Sequence, residues 1–315
     1  MDKVAIIDMG TNTFHLLLAQ SDGTGKYNII FRDRAAVKIG KGGINAGHIT
    51  SEGMERAVLA MQGFKKTIDE NKIKNITAFG TSALRSASNG DGVLSKITTA
   101  TGIEPRIISG DLEAEYIYKG VRYGLAMGRE KSLIIDIGGG SVEFIIADNN
   151  QIYWKKSLEI GAQRLLENFH KHDPIAPEEI TLLNSYFSEK LIELFDALKT
   201  HPVRSLIGAS GSFDTLSEIY CFRNSISISE NDSETPLTLN AFYDISKEII
   251  TKNRAQRMEI PGMIEMRVDM IVVSCCLIKY ILSRHSFERI RVSSYSLKEG
   301  ILASLTKNVS NVELP

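Results

Sequence analysis

The chain opens on an apolar run, Val4-Ala5-Ile6-Ile7, which stops at Asp8 and Gly10 and resumes from Phe14 to Ala19. Leu133-Ile134-Ile135 repeats the script: Asp136 follows, then Gly138, Gly139 and Gly140, and apolar residues return from Val142 to Ala147. Each stretch predicts a buried strand, a tight turn and a second strand, with Gly and Asn or Gly alone supplying the turn. In the second strand of the later copy, Ser141, Glu143 and Ile145 fall on one face, and Val142, Phe144 and Ile146 on the other. Polar residues at the start of that face predict a strand that begins at the border of a cleft. The arrangement is costly, because glycine weakens a strand and a buried carboxylate needs a partner.

Residues 4–19 align with 132–147 without a gap. Asp8 falls on Asp136, Gly10 on Gly138, Thr13 on Ser141 and His15 on Glu143, always 128 residues apart. Two apolar strands share isoleucines by chance, but rarely the Asp, the Gly and the hydroxyl together. The pair therefore reads as an internal repeat. Elsewhere, "IISGDLEAEYIYKGV" predicts a strand end, a turn and a helix capped by Ser109, with Ile117, Val121 and Leu125 along one face. "GASGS" at 208–212 reads as a strand-to-helix turn, and "MIVVSCCLIKYIL" from Met270 as a buried helix, too short to span a bilayer and carrying Lys279.

Length makes this a two-domain pattern: 315 residues suffice for two cores. A formal net charge of −1 argues against a general cationic surface for nucleic acid or membranes, so an anionic substrate needs a local constellation. Cys221, Cys275 and Cys276 form no disulfide framework; buried, inert thiols in a reducing cytosol are expected. "MDKVAIIDMG" lacks the features of a signal peptide, which places the protein in the cytoplasm.

The turns suggest the chemistry. A Gly-rich hairpin lets backbone N–H groups approach an anion closely, and an Asp at the strand end can hold a cation directly or through water. Two such hairpins, one per domain, suit a phosphate chain and its Mg²⁺ gripped from both sides.

Two Asp-x-Gly hairpins in tandem resemble the phosphate loops of the actin, Hsp70 and sugar-kinase superfamily. Within it the chain resembles the exopolyphosphatase and guanosine pentaphosphate phosphohydrolase (Ppx/GppA) family, in its short form. The motifs run in order: "DMGTNTFHLLLA" at 8–19, "GTSALRSASN" at 80–89, "IISGDLEAEYIYKGV" at 107–121, "DIGGGSVEF" at 136–144, "GASGS", "IPGMIEMRVDMI" at 260–271 and "SSYSLKEGIL" at 293–302. Two positions depart from the usual pattern. The first loop reads Met9-Gly10-Thr11-Asn12-Thr13 where relatives often have Leu-Gly-Ser-Asn-Ser, and Lys298 stands where Arg is frequent.

The resemblance implies an α/β protein of two actin-like (ribonuclease H-like) domains, mixed sheets with flanking helices, facing each other across a cleft. Domain I is expected over 1–125, with 299–315 packing back on it, and domain II over 126–298. The implied activity is release of phosphate from the end of inorganic polyphosphate, or of guanosine pentaphosphate at the same site. Glu113 takes the position of the base that activates water, with Glu115 as its neighbour and competitor. Asp136, Glu143 and Asp8 are the expected ligands of Mg²⁺, with Mn²⁺ as the alternative, and Asp136 and Glu143 count with Glu113 as catalytic. Phosphate binding falls to Thr11, Asn12, Thr13, Arg85, Gly138, Gly139, Gly140, Ser141, Gly211 and Ser212.

Blander readings stand beside these. Glu113 near a helix N-terminus is favoured by the dipole alone. Arg85 offers a bidentate fork to phosphate, although a lone loop arginine is usually solvated. His15 reads as a structural histidine, and Arg32, Arg34, Lys38 and Lys41 as solvated charges of which one or two could track a long polyanion. A non-catalytic sensor has no need of Glu113, and no acceptor-aspartate motif of a sugar kinase is present. A homodimer is the default for such a fold.

Overall fold

The computed structural model describes residues 2–229 and 231–306. The chain forms two compact units. One holds the chain up to Tyr123 and takes it up again at Leu297, and the other spans Gly124–Ser296. Of the C-terminal segment expected to return to the first domain, residues 307–315 lie outside the described residues.

In the first unit, β1 (Lys3–Met9), β2 (Thr13–Ser21) and β3 (Tyr27–Ala36) make an antiparallel meander. Helix α1 (Ser51–Glu70) follows, then β4 (Asn75–Gly80), α2 (Ser82–Ser86), α3 (Gly90–Thr101), β5 (Arg106–Ile107) and α4 (Gly110–Gly124). β4 joins β1 in parallel and β5 joins β4, giving the order β3-β2-β1-β4-β5. The local chemistry explains α1 well. The Thr50 hydroxyl accepts from the Gly53 amide at 3.1 Å, and Ala57, Met61, Phe64 and Ile68 repeat at helical spacing on the buried side. They pack with Ile7, Met9, Phe14 and Leu16 of the central hairpin.

In the second unit, β6 (Ser132–Ile137), β7 (Val142–Ala147) and β8 (Ile152–Leu158) repeat the meander. Helices α5 (Ala162–Phe169), α6 (Pro177–Lys190) and α7 (Ile192–Thr200) lead to β9 (Ser205–Ala209) and α8 (Gly211–Arg223). The two-residue β10 (Glu234–Thr235), α9 (Leu239–Thr251), α10 (Arg254–Met258), α11 (Met270–Arg284) and β11 (Arg289–Ser293) complete it, and α12 (Leu297–Leu305) returns the chain to the first unit. The sheet order is β10-β11-β9-β6-β7-β8, with β9 parallel to both β6 and β11. Third, second, first and fourth strands thus lie side by side in both sheets, so the repeat seen in 16 residues of sequence is a repeat of topology. The fold class expected from the sequence, two α/β units of actin-like type on mixed sheets, is the one observed.

β6 and β7 are buried at every position, which explains their continuous apolar pattern. The segment from Met270 is a buried helix, as expected, and among the described residues no helix is long and apolar enough to cross a membrane. All three cysteines are free and buried, and burial pushes the Cys276 thiol up to about 12, far from a reactive thiolate.

Candidate functional site

The two hairpins place their polar residues alike. Asp8 on β1 lies directly opposite His15 on β2, and Asp136 on β6 directly opposite Glu143 on β7. Opposed residues in an antiparallel pair carry their Cβ atoms about 4.5–5.5 Å apart, so each turn presents an adjacent polar pair. The turns match as well. A Cβ added at Gly10 would lie 2.8 Å from the Thr13 carbonyl oxygen, and one at Gly138 would lie 3.1 Å from that of Ser141. A side chain at Gly10 would force the backbone to shift, and one at Gly138 would press tightly on it.

Each loop is held from behind by the chain that follows its third strand. The Lys38 and Gly40 amides donate to the carbonyls of Asn12 (2.9 Å) and Thr11 (3.1 Å). In the second unit the amides of Gly161, Ala162 and Gln163, at the start of α5, donate to the carbonyls of Gly140 (3.0 Å), Gly138 (2.9 Å) and Gly139 (2.8 Å). In a trans peptide the N–H points away from the C=O. The Asn12 and Thr13 amides in one loop, and those of Gly139, Gly140 and Ser141 in the other, therefore face away from their supports. Successive amides aimed one way form an anion cradle.

The carboxylates of the second hairpin are deeply buried, Asp136 at 5% exposure and Glu143 at 1%. Burial of a charge on this scale requires hydrogen bonds. Ser157 on β8 donates to Glu143 Oε1 at 2.7 Å. Ser210 donates to Asp136 Oδ2 at 3.0 Å, and Ser296 donates to the same oxygen. Hydroxyls orient a carboxylate without removing its charge. Among the described residues no three His, Cys, Asp or Glu side chains cluster as a metal cage. Two opposed, hydroxyl-supported carboxylates instead fit Mg²⁺ or Mn²⁺, hard cations that Mg²⁺ sites typically hold by one or two carboxylates together with water and substrate phosphate. Asp8 provides the corresponding carboxylate in the first unit, with an imidazole opposite.

Glu113 lies in the first turn of α4. The Ser109 hydroxyl accepts from the Leu112 amide at 3.2 Å, and the Ser109 carbonyl accepts from the Glu113 amide at 2.9 Å, so the expected cap is present. Arg85, on α2, reaches across to donate to Glu113 Oε2 at 2.8 Å and to the Ile108 carbonyl at 3.0 Å. Glu113 is 7% exposed and Glu115 is half-buried. Two candidates drawn from separate motifs thus form one ion pair, with the guanidinium orienting the carboxylate.

The 208–212 turn carries strain. Ser210 has φ 68° and ψ 172°, a conformation that is otherwise almost confined to glycine and costs about 1–3 kcal/mol for other residues. Ser212 is buried and donates to Ser274 of α11 at 3.0 Å, so its hydroxyl is directed into helix packing. Gly211 lies under Arg267, whose guanidinium any added Cβ would overlap. Arg164 on α5 donates to the Gly140 carbonyl at 2.9 Å and pairs with Glu159, also at 2.9 Å. Of the early basic set, Arg32 lies 3.9 Å from the buried Glu299, Arg34 and Lys41 are exposed, and Lys38 serves the first loop through its amide.

Ser157, Ser210, Ser296, Arg164 and Arg267 escaped the sequence reading. Three of them sit in stretches singled out as motifs, "GASGS", "IPGMIEMRVDMI" and "SSYSLKEGIL", which was the available signal. Ser157 and Arg164 carry none, since only the pairing of β7 with β8 and the docking of α5 bring them to the loop.

The chain resembles known proteins over nearly its whole length. The model of the Ppx/GppA phosphatase family matches residues 18–309. An exopolyphosphatase from Cytophaga hutchinsonii, solved as a crystal structure, is 41% identical with a TM-score of 0.94, covering 98% of this chain and 99% of that one. The Aquifex aeolicus member of the Ppx/GppA family is 25% identical with a TM-score of 0.80, covering 99% of both chains. The guanosine-5'-triphosphate,3'-diphosphate pyrophosphatase of Pseudoalteromonas translucida is 29% identical over 310 residues, 98% of this chain. The chain spans 60% of the length of that relative.

Proposed function

The chain belongs to the Ppx/GppA phosphatase family, and from that premise we propose that it is an exopolyphosphatase, releasing orthophosphate from the end of inorganic polyphosphate. The observation that carries the reading is the 2.8 Å ion pair between the half-buried Arg85 and the buried Glu113, a carboxylate held in place at a helix start as a general base must be. Each hairpin loop binds phosphate oxygens through its own amides, helped by Thr11 and Thr13 in the first unit and by Ser141 in the second. Arg85 turns its remaining donors to the terminal phosphate while orienting Glu113. Asp136 and Glu143 would hold Mg²⁺ or Mn²⁺, which when bound neutralises phosphate charge. Glu113 Oε accepts a proton from water as the water oxygen attacks the terminal phosphorus. The bridging P–O bond breaks, and the electron pair leaves on the shortened chain, where the loop amides stabilise it.

Polyphosphate is preferred as substrate because the Cytophaga exopolyphosphatase aligns end to end with this chain. Hydrolysis of guanosine pentaphosphate is the second reading, supported by the Pseudoalteromonas relative. The catalytic groups serve both, since the bond broken is a terminal phosphoanhydride in each. Phosphate release from long polyphosphate, tripolyphosphate and guanosine pentaphosphate, measured side by side with and without Mg²⁺, decides between them. Glu113→Gln should lower turnover by about two to four orders of magnitude while polyphosphate affinity stays within several-fold. Near-normal turnover would remove Glu113 from the mechanism.

A further inference from the structure

A serine before a helix usually spends its hydroxyl on that helix, accepting from an amide of the first turn. Ser210 does not. It precedes α8 and makes no side-chain cap, although its carbonyl accepts from the amides of Phe213 (3.0 Å) and Asp214 (3.2 Å). Its backbone instead adopts the glycine-like conformation described above, and its hydroxyl points to Asp136. The parallel pairing of β6 and β9 sets Asp136 beside Ala209, one residue before Ser210. A glycine at position 210 would carry the same backbone without strain. A strained residue persists only where its surroundings over-determine it, and such residues gather where function needs them.

We propose that Ser210 is a positioning residue, strained in order to fix the Asp136 carboxylate, with Ser296 acting on the same oxygen. Two hydroxyls donating to Oδ2 lock the carboxylate's rotation and leave its negative charge in place, which prepares Asp136 for a divalent cation. Neighbours of this kind, one step removed from a metal, commonly tune its affinity about 10–100-fold. Packing also holds the strained turn. The Arg267 guanidinium covers Gly211, and the Phe213 ring lies against Gly208, leaving the segment little room to relax. The inference rests on the reading of Asp136 as a metal ligand made above.

Ser210→Gly and Ser210→Ala separate the two contributions. Both remove the hydroxyl, but only glycine releases the strain. Mn²⁺ binding, followed by the EPR signal of the free ion without substrate, should weaken about tenfold in both variants and in Ser296→Ala. Thermal unfolding should place Ser210→Gly about 2–4 °C above Ser210→Ala. Asp136→Asn serves as the control and should abolish the binding. If Asp136→Asn abolishes Mn²⁺ binding while both Ser210 variants bind like the parent, the positioning role is wrong and the metal site stands. Equal melting temperatures for the two Ser210 variants would refute the strain. Undiminished Mn²⁺ binding in Asp136→Asn would overturn the metal assignment itself, and this inference with it.

Discussion

The hairpin at residues 8–15 and the one at 136–143 share a turn, a register and a manner of support, yet they differ in how they treat charge. In the first, an aspartate faces an imidazole; in the second, an aspartate faces a glutamate, and serines from β8, the 210 turn and the segment before α12 hold the pair. Glu113, a buried glutamate of the first unit, is met by a guanidinium instead. A guanidinium neutralises a carboxylate, whereas a hydroxyl only orients it. The two loops thus share their turn and their support, whereas the pair of opposed, hydroxyl-supported carboxylates belongs to the second alone among the two hairpins.

This contrast predicts unequal mutants. The largest difference should separate Glu143→Gln from His15→Gln. The former should cost about a hundredfold or more in Mg²⁺-dependent turnover, and the latter less than about threefold. Phosphate release across a Mg²⁺ titration checks this, and equal losses would erase the distinction between the hairpins. Next comes the Arg85–Glu113 pair. Arg85→Met leaves a buried carboxylate without its cation and should destabilise the protein by about 3 kcal/mol in urea unfolding. Adding Glu113→Gln should recover most of that loss, because a neutral amide tolerates the site. No recovery in the double variant would mean that Arg85 stabilises through packing and its bond to the Ile108 carbonyl rather than through Glu113.

The smallest effect compares the supports of the two loops. An added Cβ at Gly161 meets the backbone of Gly139 and Gly140, which must shift, whereas at Gly40 it meets the side chains of Thr11 and Ile44. Gly161→Ala should lower kcat/KM for polyphosphate about tenfold or more and Gly40→Ala about threefold, since sub-ångström displacement of a phosphate cradle is felt in the rate. Reversal of that order would locate the more demanding loop in the first unit.

Much of this was legible without coordinates. The alternation of apolar residues around Asp-x-Gly marked both hairpins, because strand and turn chemistry are local. The ungapped spacing of 128 residues linked them, and the same strand order in both sheets is what that repeat means in three dimensions. Ser109 was recognisable as a cap and the stretch from Met270 as a buried helix for the same local reasons. Ser157, by contrast, is an ordinary polar residue on a strand, and nothing near it in the chain announces Glu143. Nor does "GASGS" reveal that its first serine reaches an aspartate 74 residues earlier.

The sequence by itself determined the hairpins, their kinship and the types of group each turn carries, since these depend on neighbours a few residues apart. Only the tertiary structure decided which partner each buried charge received. Arg85 meets Glu113, and Ser210 and Ser296 meet Asp136, because sheet register and helix docking join segments from 28 to 160 residues apart. A buried carboxylate must find a partner, but which one it finds is a matter of packing.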